Sequence, residues 1–163
     1  MRKLLIAFGL FVITCAMVVV FMRSDERSVE QKFREGMPFL TFNTYIDPDF
    51  GYQFVYPSFL CKEVIKGYGP GHVQFGYHAN SINMVMECKV VPRRILPRVQ
   101  GNSVKEGVCP DMEAYRYCSH YVCKSHLVYI LSFYYPAAYK EAASPILYRV
   151  RHWQPFPKPL RLF

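Results

Sequence analysis

Residues 4–22 run for 19 positions without a charged side chain, between Arg2-Lys3 and Arg23. As a helix rising 1.5 Å per residue, such a run covers about 28 Å, close to the roughly 30 Å thickness of bilayer hydrocarbon. In lipid every backbone N–H and C=O must be satisfied internally, so a spanning segment of this kind has to be helical. The polar exceptions Gly9, Thr14 and Cys15 are all tolerable in such a helix. Arg2, Lys3 and the amino terminus precede the run, whereas Arg23, Asp25, Glu26 and Arg27 come after it. Acidic residues count little in orientation, so the basic bias keeps the N-terminus in the cytoplasm and exports the C-terminal part of the chain. The expectation is a single-pass signal-anchor in a bacterial inner membrane. Residues 1–3 are cytoplasmic, 4–22 span, 23–39 form a charged tether, and 40–157 form a periplasmic domain. An extended tail, 158–163, closes the chain.

Two other readings of the same segment compete. A signal peptide cleaved at Thr14-Cys15-Ala16 needs a short apolar core, but residues 17–22 continue apolar past that point. A lipoprotein acylated at Cys15 needs a small residue before the cysteine and a polar tether after it. This sequence has Thr14 and then an apolar run. All three readings put the domain outside the cytoplasm.

The exported part is long enough to bury one core without metals or disulfides as obligatory staples. Its composition favours strands, since the chain carries 13 Tyr and 13 Phe. The net charge of +8 includes the three basic residues flanking the apolar run. What remains is too mild and too dispersed for nucleic-acid binding, and no nucleic-acid partner is expected.

Period-two alternation and turn residues divide the domain. Strands are expected over residues 40–46 and 52–56, joined by Asp47-Pro48-Asp49-Phe50-Gly51. In that turn Pro48 fixes φ and Gly51 supplies a positive φ. Ser58 is placed to cap a short helix over residues 59–65. A hairpin pairs residues 72–78 with 82–91, and in its second arm Ile82, Met84, Met86, Cys88 and Val90 share one apolar face. Residues 92–110, with three prolines, read as a long loop. Residues 112–123 form a further strand. The run 127–135 has so few polar side chains that it should be central and covered on both faces. Residues 137–143 favour a helix, and Ser144-Pro145 reads as an N-cap and first helical residue of another, reaching Trp153. Ile146, Leu147, Val150 and Trp153 then lie against the sheet. The class is α+β, with a central antiparallel sheet packed by helices.

The order of these parts resembles a known family. Gly51-Tyr52-Gln53-Phe54-Val55-Tyr56-Pro57-Ser58 is similar to the first strand of PsbP-like domains, where a glycine leads an aromatic strand into Tyr-Pro. A glycine-led hairpin over 71–91 comes next. A late strand closes on Tyr134-Tyr135-Pro136, and a terminal helix ends near Trp153 and Pro155. The resemblance covers residues 40–157. It implies an αβα sandwich, a docking or assembly role, and no shared catalytic set. The chain departs from the family pattern in its extra cysteines and in a shortened link between the last two strands.

Candidate chemistry is concentrated in the thiols and imidazoles. Cys61, Cys88, Cys109, Cys118 and Cys123 are disulfide candidates in an oxidising compartment, although five is an odd number. Cys118, His120, Cys123 and His126 fall within nine residues, and thiolate with imidazole suits zinc. On a strand, however, Cys118 and His120 share a face that Cys123 does not. The same residues could assemble a Cys–His nucleophile pair. No phosphate-binding glycine loop and no cofactor motif is present. Arg93, Arg94 and Arg98 form the one basic cluster, suited to an acidic partner or to lipid headgroups. The sequence therefore favours a non-enzymatic interaction or assembly module, with a thiol- or zinc-dependent activity at Cys118, His120, Cys123 and His126 as the alternative.

Overall fold

The structure, a computed structural model, describes residues 27–79, 82–99 and 101–157. The apolar run 4–22, Cys15 and the tail 158–163 lie outside them. Among the described residues no helix is long and apolar enough to cross a membrane. The fold is α+β. Strands β3 (Cys61–Glu63), β4 (His72–Ala79), β5 (Ile82–Pro92), β6 (Asn102–Cys109), β7 (Met112–Lys124) and β8 (Leu127–Pro136) make an antiparallel sheet ordered β3-β4-β5-β8-β7-β6. Strands β1 (Phe42–Ile46) and β2 (Gln53–Pro57) form a separate hairpin. Helices α1 (Val29–Gly36) and α2 (Ser144–Arg151) complete the fold.

Alternation decides which way each strand faces. In β5 Ile82, Met84, Met86 and Cys88 are fully buried. They meet Val73 and Phe75 of β4, Leu131 and Phe133 of β8, and Cys118 and Val122 of β7 in one core. The β1–β2 hairpin with Tyr52 and Phe54, and α2 with Ile146, Leu147 and Val150, cover this core face. Trp153 Nε1 donates to the Gln53 carbonyl at 2.7 Å, and Gln53 N donates to the Pro155 carbonyl at 3.0 Å. These bonds tie the end of the domain to β2.

The turn at Asp47 forms by the expected chemistry. Its buried carboxylate accepts from Asp49 N at 3.1 Å and Phe50 N at 2.8 Å, and Gly51 has φ 64°. Gly71 is required twice over: its φ is 77°, and a Cβ there would stand 2.6 Å from the Phe50 ring.

The structure departs from the sequence reading in five places. Residues 29–39 are not a tether. Ser28 caps α1 through a bond from Gln31 N at 3.1 Å, and Phe33 packs on Phe59, Tyr77 and Tyr139 with ring centroids 5.1–5.7 Å apart. Met37 is 1% exposed in the main core. Charge at Glu30, Lys32, Arg34 and Glu35 hid an apolar stripe of few residues.

The stretch after Ser58 forms a turn and the short strand β3 rather than a helix. The loop over 92–110 contains a 3-10 turn, Arg93–Ile95, and the whole of β6. Strand β6 has polar residues on both sides, so alternation gave no signal for it. Residues 137–143 supply only the 3-10 turn Ala137–Tyr139, and α2 is capped at Ala143, so Ser144 is its first residue and Pro145 its second. Finally, both helices lie on the core face. The second helical layer of an αβα sandwich is absent among the described residues, and the other face is covered only at one end, by the loop from β5 to β6.

Replacing Met37 by alanine should lower unfolding stability by about 2–5 kcal/mol if residues 29–39 belong to the core, as large-to-small core changes do. Chemical denaturation of the variant measures this, and an unchanged midpoint would restore the tether. Tyr148→Ala, at a 62% exposed site on α2, serves as the surface control.

Candidate docking surface

Strand register lays out the open face of the sheet in rows. Glu63, Gln74, Glu87, Ser132, Ser119 and Lys105 stand opposite one another from β3 to β6. This polar row is flanked on one side by His72, Lys89, Ile130 and Tyr121, and on the other by Val85, Tyr134 and Tyr117. The Ser119 and Ser132 hydroxyls are buried and lie 2.8 Å apart. Burial pushes the Tyr121 and Tyr134 hydroxyls above their ordinary range, while bonds to Ser119 and Ser132 partly offset the rise.

Two walls turn these rows into a trough of about 470 Å³. A register shift at Val108/Cys109 folds the β6–β7 turn, Pro110 to Met112, over one end. Leu96, on the crossing loop, closes the other. That loop is held firmly. Arg93 N donates to the His126 carbonyl at 2.8 Å, and Val99 N to the Leu96 carbonyl at 3.1 Å. Val99 is buried on Val128 and Ile130, with Leu96 and Val91 beside them. The Cys123 thiol donates to the Val99 carbonyl at 3.6 Å. Leu96 and Val99 point inward, while Arg93, Arg94 and Arg98 are exposed. Among the described residues, none of the ion pairs at Glu35, Glu63, Glu87 and Glu106 reaches these three arginines. Pro92, Pro97 and His126 line the same recess as Arg93 and Arg94.

The thiols and imidazoles are scattered by the same register. Among the described residues no three His, Cys, Asp or Glu side chains are grouped to hold a metal ion. Cys118 and His120 face the core side, Cys123 faces the crossing loop, and His126 sits in the β7–β8 turn. His120 Nδ1 donates to the Val150 carbonyl at 2.9 Å, and its ring meets Trp153 edge-on. It braces α2 against β7.

The five thiols of the described residues are free. The ladder sets them apart. Cys88 and Cys118 lie on strands separated by β8 and out of line with each other, more than about 10 Å apart at ordinary strand spacing and beyond disulfide reach. Cys109 stands three residues beyond Glu106, the residue opposite Cys118. Cys61 faces Gly76 on the far edge, and Cys123 stands beside Gly101.

Burial also quiets the thiols. It pushes Cys118 up to about 12, with the Glu106 carboxylate adding to the rise, and it holds Cys88 well above its usual value. Cys118 is therefore not a thiolate at neutral pH and does not serve as the nucleophile of a Cys–His pair. Arg151 at the end of α2 pairs with Glu106 and holds its carboxyl below the usual range.

Reading by sequence missed the trough, because it is built from β6, the bulge and the crossing loop.

No protein-family model matches the chain, and no curated protein matches it. Among solved structures it is similar to the solution structure of cyanobacterial PsbP from Synechocystis sp. PCC 6803, with a TM-score of 0.41 and 12% identity over 69% of this chain and 90% of that one. The family is the one that the sequence motifs resemble. A likeness at this level carries no statement about function.

Two outcomes test this chemistry. Alkylation at neutral pH should modify exposed Cys61 rapidly and leave Cys88 and Cys118 unmodified until unfolding, as read by peptide mass spectrometry; rapid labelling of Cys118 would restore the nucleophile. For Glu106 the folded pKa lies below the unfolded value. Its contribution is therefore present above 4.5 and lost as pH falls through the folded value. Glu106→Gln should lose less stability than the parent chain between about pH 5 and about pH 3, as measured by denaturant midpoints.

Proposed function

We propose that this chain is a membrane-anchored, non-enzymatic docking module. Residues 4–22 hold it in a bacterial inner membrane, with the folded domain on the periplasmic side. Its contact surface is the uncovered trough together with the arginine loop that walls it, and its partner is a protein with an acidic segment. One observation carries this reading: a pinned loop presents Arg93, Arg94 and Arg98 with no acidic partner among the described residues, beside a sheet face that no described helix covers. Tyrosine and arginine are the residues enriched at the centres of protein interfaces. No cofactor is invoked.

Position favours a protein over lipid headgroups. Helix α1, next to the anchor in sequence, packs on Tyr77, which stands opposite Met84 near the start of β5. The arginines come just after Pro92, at the end of the same strand. At ordinary strand rise the two points are about 26 Å apart. A domain anchored beside α1 holds the arginines away from the bilayer. The thiol or zinc alternative finds no comparable support in a scattered ligand set and a protonated Cys118.

The test uses the full-length chain in nanodiscs of neutral lipid and a fluorescent peptide rich in Glu and Asp. Binding should weaken as salt rises and fall by about tenfold or more when Arg93, Arg94 and Arg98 are all replaced by glutamine. Undiminished binding by the triple variant, or arginine-dependent binding to anionic vesicles instead of the peptide, would sink the reading.

A further inference from the structure

Strand β6 is the open edge of the large sheet. It spans eight residues and, among the described residues, pairs only with β7, whereas β3 at the opposite edge has three. On an antiparallel edge, alternate residues turn their N–H and C=O outward. Among the described residues, no backbone bond from outside the ladder reaches residues 102–109. Exposed edges are ordinarily blunted by shortness, charge, proline or a bulge. Here the one bulge lies at Val108/Cys109, and the pairing from Asn102 to Val108 is regular.

The two faces of this edge are chemically distinct. Toward the core side stand Val104 and Val108, each 42% exposed. Glu106 between them is drawn onto Arg151, whose Nη2 donates to it at 3.0 Å. Toward the trough stand Ser103, Lys105 and Gly107. Lys105 Nζ lies 5.4 Å from the Tyr121 ring centre. The Tyr117 ring occupies the space over Gly107, 3.1 Å from where a Cβ would stand.

We propose that β6 accepts an extended segment of a protein partner as a seventh antiparallel strand. Main-chain bonds supply the attachment, and side chains at alternate positions supply the selection. The ladder dictates the sequence of the incoming strand. Apolar residues four apart cover Val108 and then Val104, and an acidic residue just before the second meets Lys105. A second copy of this chain fits poorly. Facing residues in an antiparallel ladder share a face, so the two longest self-registers set Lys105 against the copy's Lys105 or Glu106 against the copy's Glu106. Like charges directly opposite are destabilising. The inference deepens the docking reading and rests on it, naming how the acidic partner attaches.

The probe is a nine-residue peptide, Ser-Thr-Val-Thr-Lys-Asp-Val-Thr-Ser, added at millimolar concentration to the full-length chain in detergent micelles. Amide hydrogen exchange is read by mass spectrometry. The peptide should slow exchange in β6 by about tenfold or more, and the double variant Val104→Lys with Val108→Lys should abolish the effect. A peptide with Lys in place of Asp should protect β6 less. Protection that falls elsewhere, survives in the double variant or fails to appear would overturn strand addition. So would β6 protection that grows with protein concentration in the absence of peptide, which would assign the edge to a second copy. The arginine variant separates the two ideas: if it loses the Glu/Asp-rich peptide while the β6 double variant keeps it, docking stands and strand addition falls.

Discussion

Strand β8 turns Tyr129, Leu131 and Phe133 to one face and Val128, Ile130 and Ser132 to the other, and all are buried. Such a strand needs two coverings, and the chain supplies them unequally. The β1–β2 hairpin and both helices pack on the first face. On the second, the loop from β5 to β6 crosses β8 and β7 and seals only the end near Val128 and Ile130. Toward Ser132 the burden passes to a polar solution, the hydroxyl pair with Ser119, roofed by tyrosines. Trough and arginine loop both result from how this second face is closed.

Much of this was legible from alternation alone. The β4–β5 hairpin, the central place of β8, the core face of β5 and the Asp47 turn all come from period-two patterning and turn chemistry. The features that escaped were carried by other physics. Strand β6 is polar on both sides because it is an edge, so no apolar face marked it. Phe33 and Met37 are single apolar residues among charges, and only the aromatic pocket of Phe59, Tyr77 and Tyr139 explains them. Nearness along the chain suggested a zinc site and disulfides, but strand geometry sends neighbours to opposite faces and leaves Cys88 and Cys118, on one face, a strand apart and out of line. Of the proposed contact surface, Arg93, Arg94 and Arg98 were visible as a cluster. The Leu96 and Val99 anchors that aim them were not.

Two polar side chains have structural work to do. Buried His120 holds α2 through the Val150 carbonyl, and exposed Glu106 holds its end through Arg151. Both lie on the core side of β7 and β6, away from the trough. The helix is thereby fixed by specific bonds as well as by Ile146, Leu147 and Val150, which orients Trp153 toward β2.

That last contact has a consequence for how the protein is made. Gln53 receives Trp153 at its carbonyl and gives its N–H to Pro155, partners separated by about a hundred positions of chain. Domains generally acquire structure as they emerge, amino end first. Here β2 has no such option, because its outer bonds are completed only by the final turn of the domain. Tyr52 and Phe54 therefore wait, half-sheltered, until almost the whole polypeptide has been delivered, and the interval before closure is the period in which the nascent chain most needs protection from aggregation and proteolysis.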